Sequence, residues 1–156
     1  MSEFVPAVLS AFEAVVGAVG LELVDTADDE WWASVEWRLD EVLLTVTDDR
    51  RDRLIEVFVT RPATPGERET ASLLLHGETI SLPLWAMVEA AGTAPSFALG
   101  GESRLNRLPE YALAVEEYAI PFVLDPDRPI DDIVAVVKQR NWESSDEGRR
   151  ARRWLP

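Results

Sequence analysis

The sequence predicts an α+β domain: an N-terminal helix packed on an antiparallel β-meander of four to five strands, followed by two to three C-terminal helices. Three observations carry this. Apolar residues recur at helical spacing from about residue 3 to 18. After Gly20 the period changes to two and stays so to about residue 60. Helical spacing then returns in the second half of the chain, between loops rich in Pro and charge. A chain of 156 residues fits one domain and buries enough surface to stand without covalent staples.

In the first helix, Phe4, Val5, Val8, Leu9, Phe12, Val15, Val16 and Val19 form one apolar stripe, and Gly20 is the expected stop. Leu21 and Leu23 begin the sheet. In WWASVEWRL the alternation puts Trp31, Ala33, Val35, Trp37 and Leu39 on the core face, and Trp32, Ser34, Glu36 and Arg38 on the other. Val42, Leu44 and Val46 alternate with Leu43, Thr45 and Thr47. The polar run DDRRD, with Asp48 and Asp49, reads as a hairpin turn. Ile55, Val57 and Val59 then alternate with Leu54, Glu56, Phe58 and Thr60. Short polar links between these runs favour antiparallel neighbours, and the first helix must cover one face, because its stripe needs a partner.

RPATPGERE reads as a loop, and ASLLLHG suits a buried strand or a helical turn equally. Ser81, Leu82 and Pro83 read as a helix start, with Leu84, Trp85 and Val88 inward and Gly92 at the end. TAPSFALGGES is a loop. A further helix begins near Asn106 and carries Leu108, Tyr111, Val115 and Tyr118, to be ended or kinked by Pro121. The last helix opens at Asp127 and Pro129, with Asp131 and Asp132 at its positive end and Ile130, Ile133, Val134 and Val137 as its stripe. The reading divides the chain into a domain over 3–140 and a polar, basic tail over 141–156 that is either mobile or pinned by Trp142 and Trp154.

Composition removes several kinds of chemistry. The chain has no Cys, so thiol nucleophiles, disulfides and thiolate metal sites are excluded. It has one His, His76, with no partner in sequence to position a proton transfer. DPDRPIDDIVAV has Asp at its first and third positions but Ile at the sixth and Val at the twelfth, which fails as a calcium loop. Leu99-Gly100-Gly101-Glu102-Ser103 matches no phosphate-binding loop. No catalytic residue, cofactor or metal is therefore expected. The alternative of a carboxylate-based hydrolase stays open, because the separation that defines one is spatial. No run is apolar enough for a membrane span, and an N-terminus without a basic region argues against a signal peptide, which makes the cytoplasm the expected compartment.

The net charge is −14. Six basic and three acidic residues stand from Lys138 onward, which leaves −17 on residues 1–137. Such a body repels phosphate backbones and attracts basic proteins. The four arginines Arg149, Arg150, Arg152 and Arg153 are the only basic cluster, so nucleic acid is an unfavoured partner. Trp32 stands with Glu36 and Phe58 on the polar face of the meander, and mixed aromatic and acidic surfaces are where binding energy concentrates. The candidate partner-binding residues are Asp28, Asp29, Glu30, Trp32, Glu36, Asp48, Asp49 and Phe58.

With its stretches GLELVD, VLLTVTDDRRDRLIEVFV and ISLPLWAMVEAAG, the chain resembles the small acidic immunity proteins encoded beside bacterial polymorphic toxins. The likeness is one of pattern over roughly residues 3 to 138 and carries over no functional residue. It implies a protein that binds and blocks a cognate toxin in the producing cell; the negative charge fits a basic toxin, and the expected state is a monomer or homodimer. The chain also resembles the acidic secretion chaperones of the type III class, which its long helical C-terminal part and basic tail fit less well.

Overall fold

The computed structural model describes residues 3–92 and 103–145. It shows an N-terminal helix, a six-stranded antiparallel sheet and C-terminal helices. Most of the loop TAPSFALGGES, with its paired glycines, and the arginine run with Trp154 lie outside the described residues.

Helix α1 (Phe4–Val19) buries Phe4, Val8, Phe12 and Val15. It ends at Gly20, whose φ of 83° is left-handed and whose N–H donates to the Val16 carbonyl; a side chain there would be strained. Strands β1 (Glu22–Asp28), β2 (Trp32–Leu39), β3 (Val42–Asp49) and β4 (Leu54–Pro62) form the meander. The strand order is β1-β2-β3-β4-β6-β5, with every neighbouring pair antiparallel. The two strands beyond the meander are β5 (Leu75–His76) and β6 (Thr79–Pro83). They follow the short helix α2 (Glu67–Thr70) and one 3₁₀ turn, Ser72–Leu74, so ASLLLHG is part helical turn and part strand.

Helix α3 (Leu84–Ala90) follows β6 directly. Ser81, Leu82 and Pro83 are therefore strand, not helix start. Pro83 sits at the end of β6 with extended backbone (φ −76°, ψ 139°), which is compatible both with a strand end and with the residue before a helix. Helix α4 (Leu108–Ala114), a π-type turn over Val115–Ala119 and helix α5 (Ile120–Leu124) run without a break. Pro121 does not end this helix. The Ile120 N–H donates to the Val115 carbonyl five residues back, and the widened turn makes room for the proline ring. Helix α6 (Asp131–Ser144) has Asp131 and Asp132 in its first turn and runs through position 141.

The helices share one face of the sheet. Ala33, Val35, Trp37, Leu44, Val46, Val57 and Val59 join the buried residues of α1, α3, α4, α5 and α6 in one apolar core. Phe12 of α1 stacks on Trp37 of β2 at 5.7 Å between ring centroids. Leu43, Leu54 and Phe58, in the opposite phase, are not packed against this core. No helix among the described residues is long and apolar enough to cross a membrane.

Two charged residues also lie on the inner face. Arg61 is 4% exposed and forms a two-pronged pair with Glu67 at 2.8 and 2.7 Å. Thr64 and Glu67 exchange hydrogen bonds across the first turn of α2, a reciprocal cap. The Arg61 hydrogen bonds hold the Glu67 carboxyl far down, at about 2 against an ordinary 4.5. The second residue, Asp48, belongs to the ion-pair network below.

Candidate protein-binding face

The strand register assembles the outer face in rows. Trp32 lies opposite Asp49, and Asp49 opposite Leu54. Ser34, Thr47 and Glu56 form the next row, and Glu36, Thr45, Phe58 and Pro83 the one after. Of the sequence candidates, Trp32, Glu36, Asp49 and Phe58 are thus brought together on one face of the sheet. Trp32 is 38% exposed, and the other three are half-buried.

This face is acidic. Strand β1 adds Glu22 opposite Arg38 and Asp25 opposite Glu36. Two carboxylates in direct cross-strand register repel each other, which an isolated sheet does not favour. Glu36 receives a hydrogen bond from the Thr45 hydroxyl at 3.3 Å. Asp49 accepts the Arg51 and Asp52 N–H groups of the β3–β4 turn. Glu56, in the neighbouring row, has its carboxyl pushed up by burial first, then by the negative charges of Asp49 and Asp52. At the edge of β4, Glu56 and Leu54 also line a small pocket of about 120 Å³ with Trp85, Tyr111 and Arg140. Arg140 lies over the Trp85 ring at 5.3 Å and bonds to Glu89 at 2.6 Å, tying α6 to α3.

The remaining candidates serve other ends. Asp28 and Asp48 pair with Ala33 and Ile55 in the inner phase. Asp48 is 2% exposed, so it is no solvated turn charge: its carboxylate takes Arg104 Nε at 2.6 Å and a second Arg104 nitrogen at 3.0 Å. Arg50 bonds to Asp28 at 2.6 Å, donates to the Asp29 carbonyl, and lies 3.9 Å from Asp48. The turn itself begins at Arg50, not at Asp48. Asp29 folds the β1–β2 link: its Oδ1 accepts the N–H groups of Trp31 and Trp32 at 2.9 and 2.8 Å. That turn takes Trp31 off the strand, so Trp31 is not core but 54% exposed. Glu30 is exposed beside it. Asp28, Asp29 and Glu30 line an open groove of about 550 Å³ with Val5, Pro6 and Arg50. The first two of these carboxylates are engaged by Arg50 and by the hairpin N–H groups, which uses them as fixed acceptors.

Sequence reasoning missed Asp48 and Arg61 as inner-face residues, although the signal was present. Asp48 continues the phase of Val42, Leu44 and Val46, and Arg61 that of Ile55, Val57 and Val59. His76 lies exposed on β5 before Gly77. Among the described residues, no group of three or more His, Asp or Glu side chains is placed to hold a metal ion. No protein-family profile, curated protein or solved structure matches the chain.

Proposed function

We propose that the chain is a non-catalytic protein-binding module of the immunity type, which captures and neutralises a basic toxin made in the same cell. The observation that carries this reading is the outer face. Trp32, Leu43, Leu54 and Phe58 stand there outside the core, among Asp25, Glu36, Asp49 and Glu56, with Asp25 and Glu36 in direct opposition. Exposed Trp32 and the half-buried Leu43, Leu54 and Phe58 supply contact area to a partner. A Lys or Arg of the partner seated between Asp25 and Glu36 would offset the repulsion of the two carboxylates. The charge of −17 over residues 1–137 speeds encounter with such a partner.

The test is co-expression with the product of the adjacent reading frame. A one-to-one complex is expected, with growth restored to cells that express the toxin. Affinity should fall as salt rises through roughly 0.1 to 1 M, where the screening length drops to a few ångströms. Trp32→Ala and Phe58→Ala should each weaken binding by about tenfold or more while leaving the circular-dichroism melt close to that of the parent. An adjacent product that is not toxic and forms no complex overturns the reading.

A further inference from the structure

Resting on that reading, we infer that the outer edge of β1 (Glu22–Asp28) takes up one extended, basic segment of the partner by strand addition. β1 ends the sheet, and among the described residues no strand pairs with its far side. Its residues are exposed except for the half-buried Ala27. Leu23 and Val24 show 50% and 41% of their surface. The edge runs in regular register from Asp25 to Asp28, after a register shift between Leu23 and Asp25, and offers that stretch as a template for another strand. The far edge of the sheet, β5, has only two residues.

The backbone direction follows from the ladder. The Asp29 N–H donates to the Trp32 carbonyl and the Arg50 N–H to the Trp31 carbonyl, so alternate residues of β2 turn toward β1 and toward β3. Val35, opposite Thr26, turns toward β3. The Thr26 N–H and carbonyl therefore point away from β2, where an incoming strand would bond.

The charges select the occupant. Glu22, Asp25 and Asp28 are spaced evenly about Asp25. Two copies pairing antiparallel about Asp25 would set Asp25 against Asp25, and like charges in register destabilise a ladder. The same spacing suits a segment carrying Lys or Arg. The acids thus block self-pairing and favour a basic strand, one continuous with the acidic outer face.

The experiment uses the full chain, labelled for amide hydrogen exchange, and an eight-residue probe peptide of alternating Lys and Val. The Lys–Val peptide should slow exchange at Thr26 and its β1 neighbours, and a Glu–Val peptide should not. Thr26→Pro, which removes only an outward N–H, should weaken the peptide by about tenfold. Asp25→Lys should weaken Lys–Val binding and admit the Glu–Val peptide, a readout that holds even if the proline variant fails to fold. No protection by Lys–Val, or unchanged affinity in both variants, overturns the inference. So does slow exchange at Thr26 in the chain alone: in a monomer its own segment would hold the edge, and in a dimer a second copy. A folded Thr26→Pro variant that binds the adjacent-frame product normally sinks strand addition and leaves the immunity reading standing, whereas no complex with the parent chain sinks that reading itself.

Discussion

Asp48 and Arg61 occupy positions that the strand period reserves for apolar side chains, and each is held there by one bidentate partner. Arg104 answers Asp48, and Glu67 answers Arg61. Burying a charge is tolerated only where such a partner removes the cost. The Glu67 carboxyl sits at about 2 in the folded chain against an ordinary 4.5. A carboxyl lowered on folding stabilises the protein above its unfolded value, and that stabilisation is lost as pH falls through the folded one. Glu67→Gln should therefore cost about 2 kcal/mol at pH 7, in line with a charge-assisted bond. Denaturant melts should show the gap between parent and variant closing from about pH 4.5 toward pH 2; a gap that does not vary with pH would refute this account. The sequence shows the phase of these residues but not their partners. Asp48 and Arg104 are 56 positions apart, and DDRRD carries so strong a turn signal locally that the ion pair is invisible in it. Trp31 was misplaced for a related reason: the Asp29 side chain decides where the strand starts.

At the level of elements, the long periodic segments were legible and the short ones were not. Helix α1 and strands β2 to β4 follow their apolar spacing closely, because one face of each is buried throughout. Strand β6 has five residues, too few for alternation to outvote a Ser-Leu-Pro helix-start pattern. Pro121 read as a breaker because nothing local announces the π-type turn that accommodates it. The joint between the two legible elements is Phe12 on Trp37, with Phe12 fully buried. Phe12→Ala removes a ring from the contact between helix and sheet, and should cost about 3–5 kcal/mol, measured as a shift of the urea midpoint at constant slope. A cost below about 1 kcal/mol would mean that α1 is not a principal cover of the sheet.

On the scale of the whole molecule, the sequence revealed its acidity and the core face of its meander, but not which acidic residues take that face. That choice divides the candidate site. Trp32, Glu36, Asp49 and Phe58 remain on the outer face, while Asp48 is buried on the inner one, Asp28 lies exposed at the end of β1 and Asp29 shapes a turn. The network that claims Asp28 and Asp48 also has a bearing on time. Hairpins β2–β3 and β3–β4 join residues close in sequence, whereas the Asp48–Arg104 pair closes a separation of 56 residues, and distant closures come late because the chain entropy must first be spent. On that argument Arg104 is expected to act as a latch that shuts after the sheet exists. Arg104→Ala should leave the refolding limb of a chevron near that of the parent and raise the unfolding rate by about tenfold or more. Equal slowing of refolding would place the latch in the nucleus instead. The consequence expected of the Asp48–Arg104 pair is thus persistence: it should slow the coming apart of the assembled chain without speeding its assembly.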